Sequence, residues 1–309
     1  MEAKPGASRW LLITAIAPVA WGTNYYVTHA YLPADSPLYG AAIRALPAGL
    51  LLLAAARRLP RGSWWWKSLV LGVLNMGGFF TLVYVAAQRL PTSLASTVMA
   101  TAPLVMMLTA WALLAERPRP AHLAGAGVGL GGVCLMLLTG ATSADALGVL
   151  ASAAAMLMSS LGYVLAKRWS ADVPVLATTS WQLVAGGLVL LPAAALTEGA
   201  PPRVDVPSGL AFGYVTVVAT AIAFAAWFAG LRHLPAGTVG LVGLLNPVTG
   251  VLLGTLIAEE PLSTRQLLGL ALAATGILLS RPRPPRTAPE PSNPAPHRTP
   301  QPTSRRNNP

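Results

Sequence analysis

Long apolar runs separated by short polar connections make up most of the 309-residue chain. A helix needs about 20 mostly apolar residues to cross a hydrocarbon core roughly 30 Å thick. Ten runs are long enough, over residues 10–29, 38–56, 68–87, 93–114, 121–139, 146–166, 174–195, 209–231, 236–258 and 264–280. The pattern predicts an all-α integral membrane protein with ten transmembrane helices, numbered here as spans 1 to 10.

Composition supports this interpretation and excludes an ordinary soluble enzyme. Charged residues make up 10% of the chain and apolar residues 54%, whereas a soluble domain carries roughly 25% charge. The single cysteine, Cys134, cannot form an internal disulfide, and the four histidines are scattered without metal-ligand spacing. We therefore expect no metal and no cofactor.

Basic residues predict the orientation of the spans in the membrane. With residues 1–9 in the cytoplasm, 17 Lys and Arg residues fall on the cytoplasmic side and three on the other, while Arg44 lies inside span 2. Positive residues concentrate on the cytoplasmic side of membrane proteins. We expect a multi-pass protein of the cell membrane with both termini in the cytoplasm, in contact with lipids and not with nucleic acid.

The last segment, residues 281–309, differs from the rest of the chain. Ten of its 29 residues are proline and six are arginine. Such a composition cannot bury enough apolar surface to fold. We predict a disordered cytoplasmic tail.

The two halves of the chain, residues 10–139 and 146–280, resemble each other. A shift of 144 residues superimposes Leu90–Pro91 on Leu234–Pro235, Pro103 on Pro247, and Glu116 on Glu260, and a shift of 138 superimposes Tyr25 on Tyr163 and Arg44 on Gln182. Each half holds five spans, so the second half enters the membrane from the opposite side. Inverted five-helix repeats of this kind are typical of secondary transporters, with the binding site near the midplane.

Several of these features together resemble one family. They are Trp21–Gly22–Thr23–Asn24, Arg44, the Leu-Pro turns, the prolines and terminal glutamates of spans 4 and 9, and the Gly-rich spans 5 and 10. The chain resembles the EamA-type permeases of the drug/metabolite transporter superfamily. The resemblance implies a cavity lined by spans 1, 3, 4, 6, 8 and 9, and movement of small metabolites, often amino acids and frequently outward. Ser159–Ser160 departs from the pattern of the first half.

Polar and aromatic side chains within the spans are the candidates for substrate binding. Buried amides in hydrocarbon need partners, which can be other helices or a substrate. The candidates that we expect to contact a substrate are Trp21, Asn24, Asn75, Phe79, Tyr163, Trp227 and Asn246.

Pro103 and Pro247 are candidate hinges. A proline inside a helix removes one hydrogen bond and frees the carbonyl four residues earlier, here that of Met99 or Gly243. A simple kink that shapes packing is the alternative interpretation.

Arg44 is the one fixed charge well inside a span, and its counterpart in the second half is neutral Gln182. A charge there costs about 2.5–3.5 kcal/mol on insertion scales, so a partner is required. Carbonyl groups and polar side chains would make Arg44 structural, whereas a substrate carboxylate would make it part of the binding site.

Two further features have ordinary structural explanations. Glu116 lies at a span end, where an ion pair with Arg117 or Arg119 is expected. The Gly-rich run from Gly125 to Gly132 favours close packing within the bundle, or a homodimer through span 5 or span 10.

The sequence favours a transporter of small polar metabolites that works by alternating access, with amino-acid-like substrates and export. A nucleotide-sugar or phosphorylated-metabolite carrier is the alternative, but it would need more basic residues in the cavity than Arg44. A membrane-embedded enzyme or an accessory subunit is more distant, because no set of nucleophile, base or metal ligands converges within the spans.

Overall fold

The computed structural model describes residues 5–33, 35–90, 92–137, 145–257 and 263–279, and all regular structure in them is helical. The helices are α1 (Pro5–Tyr31), α2 (Pro37–Ala56), α3 (Trp64–Gly72), α4 (Gly78–Arg89), α5 (Thr92–Met99), α6 (Ala102–Leu114), α7 (Pro120–Leu137), α8 (Ala146–Trp169), α9 (Val175–Thr197), α10 (Val206–Thr216), α11 (Ala223–His233), α12 (Ala236–Val242), α13 (Leu245–Ile257) and α14 (Thr264–Leu279).

These helices form the ten predicted spans, which confirms the fold class. Spans 3, 4, 8 and 9 each consist of two helices, α3–α4, α5–α6, α10–α11 and α12–α13. Within the described residues, eight spans are long and apolar enough to cross a membrane. Of the other two, α14 has only 16 residues, and α1 has 27 but is less apolar.

The interruptions within the spans occur at matching places in the two halves. A π-helical turn, Val73–Gly77, joins α3 to α4, and a second, Val217–Ile222, joins α10 to α11 and begins 144 residues later. Spans 4 and 9 break after Met99 and after Val242. The repeat that the sequence predicts therefore extends to the details of helix geometry.

Pro103 and Pro247 lie in the first turn of the helix that follows each break, α6 and α13. A proline is tolerated there because the first-turn N–H groups have no intrahelical partner. The two prolines thus start new helices within the span, and neither one sits in the interior of a continuous helix.

Two helix pairs, α2 with α9 and α7 with α14, have the most extensive packing in the bundle. Each pair joins one span to its own counterpart in the other half. Glycines allow the close approach: a Cβ atom at Gly132 would lie 2.6 Å from the carbonyl oxygen of Gly269. This face of the Gly-rich α7 therefore packs within the chain, while Gly127 and Gly131 have open space around them.

The bundle has two ends, named here by the chain termini. The terminal side is where α1 begins and α14 ends, and the far side is the opposite end. Pro91, Glu260 and the predicted tail of residues 281–309 lie outside the described residues.

Candidate functional site

A cavity of about 290 Å³ lies between the two halves, near the middle of the bundle. Spans 1, 2, 3, 4, 6, 8 and 9 contribute to its wall. It is lined by Trp21, Asn24, Arg44, Phe79, Phe80, Val83, Met99, Ala100, Ala102, Pro103, Met106, Ser159, Tyr163, Phe224, Trp227, Gly240, Gly243, Leu244, Asn246 and Pro247.

Most of the cavity wall is built from equivalent positions of the two halves. Seven pairs related by the 138- or 144-residue shift both line it: Trp21 and Ser159, Phe80 and Phe224, Val83 and Trp227, Met99 and Gly243, Ala100 and Leu244, Ala102 and Asn246, and Pro103 and Pro247. The cavity therefore straddles the axis that relates the two halves.

Broken helices place four helix ends against the cavity. Its lining includes Met99 and Gly243, at the C-terminal ends of α5 and α12, and Ala102 and Asn246, in the first turns of α6 and α13. Helix N-termini favour negative groups, and helix C-termini favour positive ones. The site can thus hold both charges of one small molecule, as discontinuous helices do in other transporters.

Aromatic rings form one wall of the cavity. The ring of Trp21 lies 5.0 Å from that of Phe224 and 5.2 Å from that of Trp227, and the Tyr163 ring lies 5.4 Å from Trp227. Such tilted contacts are favourable geometries for aromatic pairs. They make a rigid apolar surface beside the polar groups.

Arg44 lies in the cavity wall and is 9% exposed. Its Nε donates to Thr220 Oγ1 at 2.9 Å, its Nη2 donates to the Ala219 carbonyl at 3.2 Å, and its guanidinium lies 5.3 Å from the centre of the Phe80 ring. No carboxylate of the described residues pairs with it. The carbonyl and hydroxyl partners expected for a structural role are present, yet the charge itself has no protein counter-ion in that part of the chain.

The Ala219 carbonyl is available because it lies in a π-helical turn, which disrupts the regular hydrogen-bond pattern of the helix. It also accepts a hydrogen bond from Trp21 Nε1 at 3.1 Å. Arg44 and Trp21 are therefore positioned by the same backbone atom of span 8.

Three polar atoms of cavity-lining residues are buried without a hydrogen-bond partner in the described chain. They are Asn24 Oδ1, Asn246 Oδ1 and Trp227 Nε1. Leaving a buried donor or acceptor unsatisfied costs about 1–3 kcal/mol. Each such atom needs a specific explanation, and a bound ligand would supply one.

Asn75 was expected to contact the substrate, and Gln182 to have either a structural role or a contact with a substrate carboxylate, but the structure places both side chains outside the cavity wall. Asn75 Nδ2 donates to Gln182 Oε1 at 2.8 Å, and the two residues are 0% and 1% exposed. The other candidates, Trp21, Asn24, Phe79, Tyr163, Trp227 and Asn246, line the cavity together with Arg44, Pro103 and Pro247.

The terminal side is closed by an ionic cluster between the two halves. The carboxylate of Glu116 lies 2.5 Å from Lys167 Nζ and accepts a hydrogen bond from the Ala236 N–H at 2.9 Å, while Lys167 donates to the Leu234 carbonyl at 2.7 Å. We call Glu116, Lys167, Leu234 and Ala236 the terminal clasp. The pairing of Glu116 with Arg117 or Arg119 expected from the sequence is wrong, because α8 packs against α6 and places Lys167 beside Glu116.

Sequence reasoning missed several lining residues, among them Phe80, Phe224 and Met106. Phe80 and Phe224 carried a usable signal, since they are identical residues related by the 144-residue shift. Met106 carried none, because an apolar residue in an apolar span does not reveal which way it faces.

Comparisons with known proteins agree with this architecture. The model of the EamA-like transporter family matches residues 8–138 and again residues 146–281. The protein PecM of Dickeya dadantii is 36% identical over 265 residues, covering 85% of this chain and 89% of that protein. An uncharacterized inner membrane transporter, YedA of Escherichia coli, is 26% identical over 84% of this chain and 87% of its own length.

A crystal structure with 24% sequence identity superimposes with a TM-score of 0.79, covering 89% of this chain and 97% of the other. This likeness supports the fold. The two family matches, one to each half of the chain, agree with the two repeats of this fold. The chain belongs to the EamA-like transporter family and is a multi-pass membrane transporter of small molecules, not an enzyme.

Proposed function

We propose that this transporter exports small amino-acid-like metabolites across the cell membrane by alternating access, with both termini in the cytoplasm. The observation that supports the substrate class is Arg44, a cation in the cavity wall without a carboxylate partner among the described residues. Its Nε and Nη2 bond to the protein, and its Nη1 makes no hydrogen bond to the described residues. A substrate carboxylate is the natural partner for that remaining edge.

The helix ends favour the same substrate. The N-termini of α6 and α13 add partial positive charge to the cavity that Arg44 lines, and the indole N–H of Trp227 adds an unpaired donor. The C-termini of α5 and α12, with the unpaired oxygens of Asn24 and Asn246, suit an ammonium group. A zwitterion satisfies both sets at once.

The size and the walls of the cavity restrict the side chain that a substrate can carry. About 290 Å³ is at the lower end of the range of ligand pockets. The aromatic wall of Trp21, Phe224 and Trp227 accommodates an apolar side chain. We therefore expect amino acids or amines of similar size with an apolar or aromatic side chain to bind best.

On the terminal side α6 packs against α12, whereas on the far side α5 and α13 make no extended contact within the described residues. Basic residues favour the terminal side as cytoplasmic, by 17 to three. With that orientation, the terminal clasp seals the cytoplasmic end and the cavity lies toward the outside. The described conformation then corresponds to the outward-facing state of an exporter.

Transport by the Arg44→Gln variant tests this proposal. Purified protein in proteoliposomes is assayed with a panel of labelled amino acids and with the matching decarboxylated amines. Loss of a charge-assisted contact worth about 1.5–3 kcal/mol predicts a roughly 10- to 100-fold loss for the amino acids. The amines should be transported at nearly the wild-type rate.

Arg232→Gln is the matched control, because Arg232 also donates two hydrogen bonds to backbone carbonyls, those of Val173 and Ala171. It lies on the terminal side, away from the cavity, and should not change selectivity. If Arg44→Gln lowers thermal stability but leaves the amino acid to amine ratio unchanged, Arg44 is structural and the proposed substrate class is wrong.

A further inference from the structure

The hydrogen-bonded pair of Asn75 and Gln182 leaves one hydrogen-bond acceptor and one donor without a partner. Asn75 Oδ1 and Gln182 Nε2 are both buried without a hydrogen-bond partner, although the two side chains bond to each other through their other atoms. A pair that served only to join spans 3 and 7 would leave no reason to bury a free acceptor beside a free donor, since each costs stability.

The position of this pair mirrors that of Arg44. Gln182 occupies in α9 the place that Arg44 occupies in α2, and Asn75 occupies in the first π-helical turn the place that Ala219 occupies in the second. In each half, a side chain from span 2 or span 7 therefore reaches a π-helical turn of the opposite half. One link is Arg44 to Ala219 and Thr220, and the other is Gln182 to Asn75.

The two links differ in exposure to the cavity. Arg44 lies seven residues from the start of α2, toward the far side, and lines the cavity. Gln182 lies seven residues from the start of α9, toward the terminal side, and does not. Only the link on the open side of the protein is thus in reach of a ligand.

We infer that Asn75 and Gln182 form a second substrate-binding site, which is accessible only from the terminal side. This site lines the cavity when the terminal side opens. The inference rests on the proposed function, because it requires the two halves to exchange conformations. In that state the amide N–H of Gln182 takes the place of the Arg44 guanidinium as the donor to the substrate, and the free carbonyl oxygen of Asn75 adds an acceptor.

The chemistry of the second site differs from that of the first. A substrate carboxylate meets a guanidinium on the far side and a neutral amide on the terminal side. Hydrogen bonds that involve a charged donor are roughly twice as strong as neutral ones. The substrate carboxylate is therefore held about tenfold more tightly in the far-side-open state, and neutral or amine substrates show no such difference.

Cysteine labelling tests whether the site becomes exposed. Cys134 is the only cysteine in the sequence, so Cys134→Ala gives a background without thiols. Gln182→Cys and Asn75→Cys are placed in this background, each with intact Glu116 and with Glu116→Gln, which weakens the terminal clasp. A membrane-impermeant maleimide is applied from each side of sealed vesicles.

We expect Gln182→Cys and Asn75→Cys to react from the terminal side roughly 5- to 30-fold faster when Glu116 is replaced. Leu183→Cys is the matched control, since Leu183 adjoins Gln182 in α9 and is 0% exposed. It should remain unreactive in both backgrounds. Ala110→Cys, on α6 between the cavity and the clasp, reports whether the terminal path has opened.

The outcomes separate the second site from the proposed function. If Ala110→Cys reacts but positions 182 and 75 remain as unreactive as Leu183→Cys, the second site is wrong and alternating access stands. If Ala110→Cys also stays unreactive, alternating access fails and the second site fails with it. Should Gln182→Cys not fold, as judged by size-exclusion chromatography, Asn75→Cys decides alone.

Discussion

The two sides of the bundle use equivalent helices but pack them differently. On the terminal side α6 packs against α12, and a Cβ atom at Gly240 would lie 3.0 Å from Pro103 Cα. On the far side the equivalent pair, α5 and α13, makes no extended contact within the described residues. One side is therefore closed by the same pair of spans whose other ends stand apart on the open side.

This difference shows how a repeat can produce two states. Because spans 4 and 9 are each broken at the cavity, their two ends can move separately. Closing α5 against α13 requires the same type of contact that α6 and α12 already make. Under the proposed alternating access, the asymmetry of the described conformation is one of two arrangements of the two similar halves.

A second contrast lies between the moving spans and the frame. The α2–α9 and α7–α14 pairs join equivalent spans, so an exchange of conformations leaves their contact in place. At the far end of the first pair, the Glu198 carboxylate accepts hydrogen bonds from the backbone N–H groups of Leu38 and Tyr39 at 2.6 and 2.9 Å. In the proposed alternating access, these two pairs form the fixed frame against which spans 4 and 9 move.

The largest expected effect comes from filling the closed contact. Gly240→Val places a branched side chain against Pro103 and against Met106, whose sulfur would lie 3.2 Å from the new Cβ. Overpacking of this kind costs about 1–3 kcal/mol or more. Because the terminal side can no longer close, transport in proteoliposomes should fall at least tenfold. A tenfold loss corresponds to destabilising the closed state by about 1.4 kcal/mol.

Gly250→Val is the control in the same span, since a Cβ at Gly250 has nothing within 4 Å. It should transport within about twofold of wild type, because surface substitutions change stability by about 0.5 kcal/mol or less. Equal transport by the two variants would show that the α6–α12 contact does not control the closed state.

The next effect compares the ion pairs of the two sides. Glu116 and Lys167 are 27% and 17% exposed and 2.5 Å apart, whereas Arg89 and Asp145 on the far side are 46% and 44% exposed and 3.8 Å apart. Glu116→Gln should shift the population toward the terminal-open state by about 1–2 kcal/mol, roughly 5- to 30-fold. The terminal reactivity of Ala110→Cys measures this shift.

Arg89→Gln should change that reactivity very little, because exposed ion pairs contribute only about 0–1 kcal/mol. If both substitutions had the same effect, the clasp would be an ordinary surface ion pair. The terminal and far sides would then differ in helix packing alone.

A smaller effect is expected from the indole N–H groups of two tryptophans in the cavity wall. Trp227 Nε1 is unpaired, whereas Trp21 Nε1 donates to the Ala219 carbonyl. Trp227→Phe should leave thermal stability unchanged or slightly higher and weaken carboxylate binding about three- to tenfold, as loss of about 0.5–1.5 kcal/mol implies. Trp21→Phe should instead lower stability by a similar amount.

Titration of a labelled amino acid and thermal unfolding of both variants measure these effects. If Trp227→Phe and Trp21→Phe lose stability equally, the unpaired indole has a structural role. The proposal that it waits for a ligand would then be wrong.

Much of the fold was predictable because it depends on the length of apolar runs. The observed helices begin and end within a few residues of the predicted spans; α2 is Pro37–Ala56, against a predicted 38–56. Pro103 and Pro247, which occupy equivalent positions in the two halves, also marked where spans 4 and 9 break. Both properties are local, so they can be read from adjacent residues.

The finer features depend on contacts that the local sequence does not contain. The π-helical turns lie in ordinary apolar segments, Val73–Gly77 and Val217–Ile222, and nothing in those residues marks the extra residue of the turn. Lys167 is 51 residues from Glu116, so only the packed halves bring the two together. For the same reason, the sequence did not reveal that Asn75, a predicted substrate contact, bonds to Gln182 of span 7.

The smallest predicted effect tests whether the start of α10, on the far side, stays fixed during transport. Asp205 precedes α10 and caps it by accepting a hydrogen bond from the Ser208 N–H at 2.9 Å. Hydrogen bonds from Ser208 hold the pKa of Asp205 below its ordinary value of 3.8. A carboxyl whose pKa is lowered by folding stabilises the protein above its unfolded pKa, and this contribution disappears as the pH falls through the folded pKa. Asp205→Asn should therefore lower Tm by no more than about 1–2 °C at pH 7, and this difference should shrink once the pH drops below 3.8. Transport at pH 7 should be unchanged, because the α10 cap lies outside the spans whose ends separate. A loss of transport without a change in Tm would show that the start of span 8 takes part in the conformational change. The assignment of spans 4 and 9 alone as the moving spans would then be wrong.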